Sequence, residues 1–436
     1  MQRYIILKHS LVIIAMIAIS ITSCKKEYTD PSRATEEDVF NSIPGLTGAV
    51  VGLQRVFSLS QASPLYNIVT INGLLTRELF VINQGNINEY KLSLGKKEVD
   101  GNNTLITGLW ITSNKIIYDA NKVIKASESL SDQSIASGLI GYATIFKALA
   151  LGAMSEFWEN IPDSIGPNAT FIPRAEGLNR AITAIDNALS HINANPISTA
   201  FLGSVPPGID IVNTLQALKA RYSLFAGNYP QALSAANAVD LTKTSVLNFE
   251  SANPNPIFTA AGSNFNLYQP VDSSMALPVG LQPDAADKRV PFYMVLSGSS
   301  ASRFLMKGFV DSSTTAFPIY LPGEMTLIKA EAYARMTPPD LANALLELNK
   351  VVTKQPANDP LGVGAGLPPI AGPLTQSQIL DQIYKHRSIE LFMSGLRLED
   401  MRRFERPTSE RGRSFMPYPL RERDNNSANT PEDPLF

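Results

Sequence analysis

Apolar side chains recur every three or four positions along most of this chain, which is the spacing of amphipathic α-helices. The pattern predicts helices over residues 35–60, 109–158 with a break at 129–131, 175–193, 214–226, 230–241, 323–336, 341–353 and 376–404. The break at 129–131 contains two serines, which favour the N-terminus of a following helix. Most of the chain is therefore expected to be helical.

Two long stretches interrupt this pattern, over residues 61–107 and 245–318. Both are rich in Asn and Ser, with Gly or Pro, and show no sustained period, so we expect loops. Within them, a short helix is predicted near 68–79 and strand-like pieces at 292–296 and 304–309. Because loops on a rigid scaffold commonly carry recognition, these stretches are where a ligand site is expected.

Two of the helix pairs share a common spacing of small residues. Small or apolar residues lie 7, 12, 16 and 19 positions after Ala220, and the offsets 12, 16 and 19 recur after Ala332. These offsets are typical of tetratricopeptide repeats, although alanine-rich helices also match some of them by chance. We therefore expect an all-α fold in which tetratricopeptide-type helix pairs form a right-handed scaffold, with long loop-rich insertions and minor β structure.

The first 24 residues resemble a bacterial lipoprotein signal. Arg3 and Lys8 precede an apolar run over 11–19, which is too short to span a membrane, and Ile-Thr-Ser-Cys follows. We predict a signal peptide over 1–23, lipidation of Cys24, a flexible tether over 24–38 and one domain over 39–436. This domain has an N-terminal part over 39–240, a ligand-loop region over 245–318 and a C-terminal helical part over 319–436. The alternative is a free cysteine beside an ordinary signal peptide.

Composition and charge limit the classes of partner. The formal net charge is −2, and removal of Arg3 and Lys8 with the signal would make it −4. Such a nearly neutral chain does not favour a nucleic-acid surface. Cys24 is the single cysteine, so the chain forms no internal disulfide.

Five blocks of sequence, in order, carry a resemblance to a known family. They include Tyr-Asp-Ala-Asn-Lys-Val-Ile at 118–124, Phe-Trp-Glu-Asn-Ile-Pro at 157–162 and His-Arg-Ser-Ile-Glu-Leu at 386–391, and the other two lie at 217–232 and 324–332. Behind a lipidation motif, this order resembles the SusD/RagB family of outer-membrane nutrient-binding lipoproteins. Ser394 departs from the family pattern, which usually has Glu before the glycine.

The resemblance implies a fold, a location and partners. It implies tetratricopeptide pairs on one side of the molecule and a loop-rich ligand region on the other. It also implies a lipid-anchored protein of the outer membrane, facing the cell exterior. Such a protein captures an oligosaccharide, or in some members a peptide, and caps a SusC-like TonB-dependent transporter.

The residue inventory does not favour catalysis. Of three histidines, His9 would leave with the signal, and the chain contains neither a His-Glu-x-x-His nor a Gly-x-Ser-x-Gly motif. We expect no catalytic residues, no metal and no cofactor. Two alternatives from other classes remain open: a periplasmic tetratricopeptide adaptor without a small ligand, and a glycosidase using two of the 39 acidic residues.

The predicted ligand residues combine flat aromatic rings with polar side chains, because sugars present apolar C–H faces beside hydroxyl groups. They come from the loop stretches and are Tyr66, Arg77, Phe80, Asn83, Asn86, Tyr90, Phe265, Tyr268, Arg289 and Arg303. The alternative for each aromatic residue is that it only pins a long loop onto the protein body. Trp110 and Trp158 lie on apolar helix faces and are expected in the core.

Charged residues in the helix predicted at 376–404 are spaced for ion pairs. Arg387 and Glu390, like Arg397 and Asp400, stand three positions apart and could touch on one face. A clamp for a carboxylate ligand is one interpretation. A part-buried ionic network that locks the helix to its neighbours is the one we favour.

Overall fold

A computed structural model describes residues 39–262, 267–297 and 304–436. The protein is mostly helical, with minor β structure, as the sequence predicts. The helices of the described residues are α1 Ile43–Ser58, α2 Pro64–Leu75, α3 Ile87–Leu94, α4 Thr104–Glu128, α5 Gln133–Phe157, α6 Arg174–Ala194, α7 Thr199–Leu202, α8 Ile211–Phe225, α9 Tyr229–Asn237, α10 Pro256–Ala261, α11 Arg289–Tyr293, α12 Pro322–Arg335, α13 Leu341–Val352, α14 Gln376–Glu390, α15 Arg397–Arg403 and α16 Leu420–Asn425.

The described strands are short and form four two-stranded antiparallel sheets. They are β1 Leu79–Val81, β2 Asn160–Pro162, β3 Phe171–Pro173, β4 Val246–Leu247, β5 Tyr268–Pro270, β6 Met294–Leu296, β7 Phe304–Met306 and β8 Phe317–Pro318. The pairs are β1 with β5, β2 with β3, β4 with β8 and β6 with β7. Three of these pairs lie wholly or partly within the loop regions that the sequence predicts, so they give those loops fixed attachment points.

Local capping explains where several helices begin. The Ser42 side chain accepts a hydrogen bond from the Gly45 amide at the start of α1, and Asp132 caps α5 in the same way. The cap of α5 is therefore Asp132, not the serines at 129–131. The predicted start of the first helix at residue 35 and the lipidation site Cys24 both lie outside the described residues.

The two predicted tetratricopeptide pairs are present as α8 with α9 and α12 with α13, and the helices of each pair pack against each other. Ala220 and Ala232 are fully buried in the first pair, and Ala332 and Ala344 in the second. Such small side chains let the helix backbones approach closely. Gly227, with a φ of 75°, forms the turn between α8 and α9, where the left-handed conformation favours glycine.

Helix α5 runs through the middle of the N-terminal half and packs against α4, α6 and α8. It is the one described helix that is long and apolar enough to cross a membrane, but 89% of its most apolar window is buried in the protein. It serves as a core helix. The rings of Trp110 and Trp158 form an edge-to-face pair with their centroids 4.8 Å apart. Both residues lie in the core, as predicted.

The single helix predicted over 376–404 is wrong, because the chain forms α14 and α15 with a tight turn between them. Met393 has a φ of 62° and Gly395 a φ of 81°, which are left-handed conformations that end a helix. The turn redirects the chain, so that Arg397 begins a new helix instead of continuing the first. This redirection changes which charged residues meet.

Candidate ligand-binding surface

The segment between α2 and α3 contains four of the ten predicted ligand residues: Arg77, Phe80, Asn83 and Asn86. After α2, Arg77 adopts a left-handed φ of 63°, and the chain then enters β1. The Asn83 side chain accepts a hydrogen bond from the Gly85 amide at 3.0 Å, and Asn86 donates to the Asn83 carbonyl at 3.1 Å. These contacts shape a compact turn before α3. The segment therefore has a defined conformation.

This segment presents its side chains to solvent. Phe80 is 36% exposed, and Arg77 and Asn83 are exposed as well. The Arg77 guanidinium makes no hydrogen bond or ion pair with any residue in the described part of the chain. Asn86 and Tyr90 are half-buried beside them. An exposed aromatic ring, an uncommitted arginine and two amides thus lie within 14 residues of sequence.

A hairpin of β6 and β7 extends this surface. Strand β7 packs beside β5, which is paired with β1 in the register that places Phe80 opposite Gln269. Val295 lies opposite Leu305 on one face of the hairpin, and both are exposed. Exposed apolar side chains grouped in this way commonly mark binding surfaces. We refer to Arg77, Phe80, Asn83, Asn86, Tyr90, Val295 and Leu305 as the loop surface.

One arginine holds the loop surface to the helical scaffold. Arg397, at the start of α15, lies 3.4 Å from the Glu78 carboxylate. Its guanidinium also donates to the Met275 carbonyl and, at 3.0 Å, to the Ala276 carbonyl. Met275 and Ala276 both have positive φ values. A single buried cation therefore fixes the segment that carries Phe80 and the loop that follows β5.

Burial raises the pKa of the Glu78 carboxyl group, and the charge of Arg397 offsets that effect only in part. Thr76 donates a hydrogen bond to the second carboxylate oxygen at 3.2 Å. The backbone carbonyl of Glu78 accepts from the Val271 amide at 2.9 Å, next to β5. Glu78 thus acts as the anchor of this segment, with no surface left for a ligand.

Three predicted ligand residues are buried in the described structure. Tyr66 donates a hydrogen bond to Glu89 at 3.3 Å, and Tyr268 contacts the Thr70 hydroxyl at 3.0 Å. Both rings are at most 1% exposed. These two tyrosines pin the loops onto α2, which is the alternative that the sequence left open. The loop surface does not include them.

Arg289 is also fully buried, and its donors are committed. It pairs with Asp287 at 2.7 Å and Glu390 at 3.1 Å, and it lies 2.8 Å from Nδ1 of His386. Burial and the neighbouring guanidinium hold the pKa of His386 well below its usual value. Arg289 therefore joins α11 to α14 and is not available to a ligand. Phe265 and Arg303, the remaining predicted ligand residues, lie outside the described residues.

The ionic residues of α14 and α15 form a buried network, but with partners other than those expected from their spacing. Arg387 pairs with Asp400 at 2.9 Å, and Arg403 joins the same carboxylate at 2.7 Å. Arg397 pairs with Glu78 instead of Asp400, and Glu390 with Arg289 and Lys354. The turn at 391–396 causes this exchange. The network is structural, since its members have little exposure.

Sequence reasoning missed the apolar residues of the β6–β7 hairpin, because single Val and Leu residues in a loop region carry no recognisable motif. It also missed the joint role of Glu78 and Arg397, which stand at opposite ends of the chain. Within the described ranges, no three His, Cys, Asp or Glu side chains cluster as metal ligands.

Part of the chain matches a protein-family model, and its fold matches that of several solved structures. Residues 298–431 match the family model of the SusD family. A SusD homolog from Bacteroides thetaiotaomicron has a TM-score of 0.72 and 13% identity, with 92% of this chain and 99% of that chain covered. NanU from Bacteroides fragilis has a TM-score of 0.66 and 13% identity, covering 94% and 100%.

A third solved structure is described as a SusD-like carbohydrate-binding protein from Bacteroides fragilis. Its TM-score is 0.61 at 15% identity, with 84% of this chain and 87% of that chain covered. A search of curated proteins found no match. The match of residues 298–431 to the SusD family model and the fold shared with SusD-like structures together confirm the resemblance predicted from the sequence.

Proposed function

We propose that this protein is a non-catalytic, cell-surface lipoprotein of the outer membrane that binds an oligosaccharide on its loop surface. Cys24 would carry the lipid, residues 24–38 would form a tether and 39–436 the binding domain. The bound nutrient would pass to a SusC-like TonB-dependent transporter. The carbohydrate-binding description of a relative with the same fold supports this choice of ligand.

The observation that carries the proposal is the chemistry of the loop surface. Phe80 offers a partly exposed ring for the C–H face of a sugar, and the unpaired Arg77 offers up to five N–H donors for its hydroxyl groups. Asn83 adds an amide on the same short segment. Because Arg397 and the β1–β5 pairing fix this segment, the groups are arranged before a ligand arrives, which reduces the entropy lost on binding.

The exposed apolar area of the loop surface is modest, so the loop surface would bind one or two sugar units with moderate affinity. Capture at the mouth of a transporter does not need tight binding, since docking on one partner raises the effective concentration of the ligand. A peptide remains the alternative ligand within the same family.

Two experiments test the proposal. The full-length protein, tagged and recovered from a gently solubilised outer membrane, should bring a large β-barrel transporter with it. Recovery of only periplasmic proteins would contradict the transporter role and favour an adaptor. Calorimetry of the same purified protein against panels of neutral oligosaccharides and peptides should give heat with an oligosaccharide. Hydrolysis of that oligosaccharide during the titration would instead indicate a glycosidase.

A third test addresses location. Cys24→Ala should release the protein from the membrane fraction, and metabolic labelling with a fatty acid should mark the wild type only. External protease added to intact cells should degrade the anchored protein. Protection from protease in intact cells, with degradation after lysis, would place it on the periplasmic side.

A further inference from the structure

A cleft of about 630 Å³ lies among three helices of the N-terminal half and shares no lining residue with the loop surface. Its volume is in the range of sites that hold small organic ligands. Helix α5 forms its base, and α4 and α6, which both pack against α5, form its two walls. The turn after β2 closes one end through residues 163–165. We refer to this space as the helical cleft.

Each helix turns one face toward the cleft. The lining residues of α4 are 114, 117, 118 and 121, and those of α6 include 176, 179, 180, 183 and 187, at the three- and four-residue spacing of one helical face. A second depression of about 380 Å³ lies at the same turn and shares Asn114, Pro162, Ser164 and Ile165 with the cleft. An extended ligand could therefore continue past the turn.

The lining combines an apolar base with polar walls. Leu151, Met154 and Ile161 are buried and contribute the apolar part. Asn121, Asn179 and Asn187 stand on the walls, and their side-chain amides make no hydrogen bond to any residue that the structure describes. Because each amide can both donate and accept, three of them suit the hydroxyl groups of a sugar. Tyr118, 44% exposed, adds an aromatic ring.

Lys147 is the unusual member of the lining. It comes from α5, is half-buried, and has neither an ion-pair nor a hydrogen-bond partner among the described residues. Burial lowers the pKa of its ammonium group, and no carboxylate offsets that effect. The two acids of the cleft, Asp163 and Glu176, both lie beside Arg180, at 3.5 and 3.6 Å. Lys147 thus supplies an uncompensated positive charge.

A partly desolvated, unpaired cation reduces folding stability, so packing does not explain it. A carboxylate ligand would explain it, because a charge-assisted hydrogen bond is strongest where water is partly excluded. The amides, the exposed tyrosine ring and the apolar base favour a sugar over an extended peptide, whose backbone would need a continuous row of partners along the groove.

We propose that the helical cleft is a second carbohydrate site, specific for acidic sugars, in which Lys147 binds the carboxylate and the wall asparagines bind hydroxyl groups. The ligand class is an oligosaccharide that contains uronic acids. The inference is independent of the proposed function, because the helical cleft and the loop surface share no residues.

The test is calorimetry of the full-length protein with trigalacturonate and with galactotriose, its neutral counterpart. The wild type should bind the acidic trisaccharide at least about tenfold more tightly. Lys147→Met keeps the length of the side chain and should abolish that preference, while raising the midpoint of thermal unfolding because it removes the unpaired charge. Lys97→Met, the same change at an exposed lysine outside the cleft, should alter neither property.

Further variants separate the two sites. Phe80→Ala should leave trigalacturonate binding unchanged, and an Asn179→Ala, Asn187→Ala double variant at exposed positions should weaken it without affecting folding. The inference is overturned if both trisaccharides bind equally, if neither binds, or if Lys147→Met binds as the wild type does. Binding of a hexaglutamate peptide without binding of trigalacturonate would overturn it as well, in favour of a peptide groove.

Discussion

The Arg397 guanidinium lies 3.4 Å from the Glu78 carboxylate, which joins the C-terminal helices to the segment that carries the loop surface. Arg397 is 3% exposed and Glu78 2%. The same guanidinium binds the carbonyls of Met275 and Ala276, so two loops depend on one side chain. The conformation of the loop surface is therefore set by a residue that no ligand would touch.

Replacement of Arg397 by methionine should destabilise the protein much more than replacement of Glu78 by glutamine. Arg397→Met leaves the buried Glu78 carboxylate without its cation, with Thr76 as its one remaining donor, and leaves the Met275 and Ala276 carbonyls without a donor, so we expect a loss of about 3–5 kcal/mol in the free energy of unfolding. Glu78→Gln should cost about 1–2 kcal/mol, because burial already raises the pKa of that carboxyl group and so favours a neutral side chain. Urea denaturation measures both. An equal loss for the two variants would contradict the role given to Arg397.

Loss of the Phe80 ring should weaken ligand binding. Phe80→Ala removes a ring that is 36% exposed, and we expect about a tenfold loss of oligosaccharide affinity, since stacking on an aromatic ring commonly contributes about 1 kcal/mol or more. Phe436→Ala makes the same change at a ring that is 65% exposed and outside the loop surface. Calorimetry should separate the two variants. Equal affinities in the two would remove Phe80 from the site.

Replacement of Arg77 should move stability and affinity in opposite directions. Its left-handed φ of 63° costs an L-residue about 1–2 kcal/mol, whereas glycine adopts that conformation freely. Glycine also has greater conformational entropy in the unfolded chain, which offsets part of this benefit. Arg77→Gly should therefore raise the free energy of unfolding by about 0.5 kcal/mol. Affinity for the oligosaccharide should fall several-fold, because the guanidinium is lost. Urea denaturation and calorimetry measure the two effects, and a gain in affinity would contradict the prediction.

The buried Glu156 should make stability depend on pH. Burial, together with the nearby Glu399, raises the pKa of its carboxyl group to about 8, despite three neighbouring arginines. The folded protein then keeps a proton that the unfolded chain loses above about pH 4.5, so folding becomes less favourable as the pH rises from about 4.5 to 8.

Glu156→Gln removes this titration. The variant should gain stability relative to the wild type across that interval, by at most about 1.4 kcal/mol per pH unit, and the difference should level off above about pH 8. Urea denaturation at pH 5, 7 and 9 measures the trend, with the exposed Glu432→Gln as the matched control. A difference that does not change with pH would show that Glu156 is charged in the folded protein.

Alanine substitutions at two glycines test how closely the helices of the scaffold pack. A Cβ at Gly152 in α5 would collide with the ring of Tyr222 in α8, whereas one at Gly52 in α1 would meet open space. Gly152→Ala should therefore destabilise the protein by about 1–3 kcal/mol through overpacking. Gly52→Ala should stabilise it by about 0.5–1 kcal/mol, the usual preference of a helix interior. Thermal unfolding of both variants, with opposite shifts expected, measures the contrast.

The helices could be predicted because their signals are local. Small residues at fixed offsets from Ala220 and Ala332 were enough to find both helix pairs. The split of the last helix was missed because apolar residues continue at helical spacing through Leu391 and Leu396. The left-handed conformations of Met393 and Gly395 decide the break, and those conformations depend on tertiary packing.

The candidate site could be predicted only in part. Composition predicts where a loop lies along the chain, but it does not predict which way the side chains of that loop point. Arg77, Phe80 and Asn83 face solvent as a ligand site requires. Tyr66 and Arg289 face inward, and their partners Glu89 and Glu390 lie 23 and 101 positions away, a pairing that one sequence does not reveal. The asparagines of the helical cleft were missed because polar residues at helical spacing look like an ordinary solvent-facing stripe.

The short β1–β5 ladder has a consequence for engineering. Leu79, Phe80 and Val81 are held opposite Pro270, Gln269 and Tyr268, so the chain enters the turn at 82–86 from a fixed direction. A library of replacement sequences inserted at that turn would therefore diversify recognition while the frame stayed constant. New specificities could be selected there without any redesign of the helices.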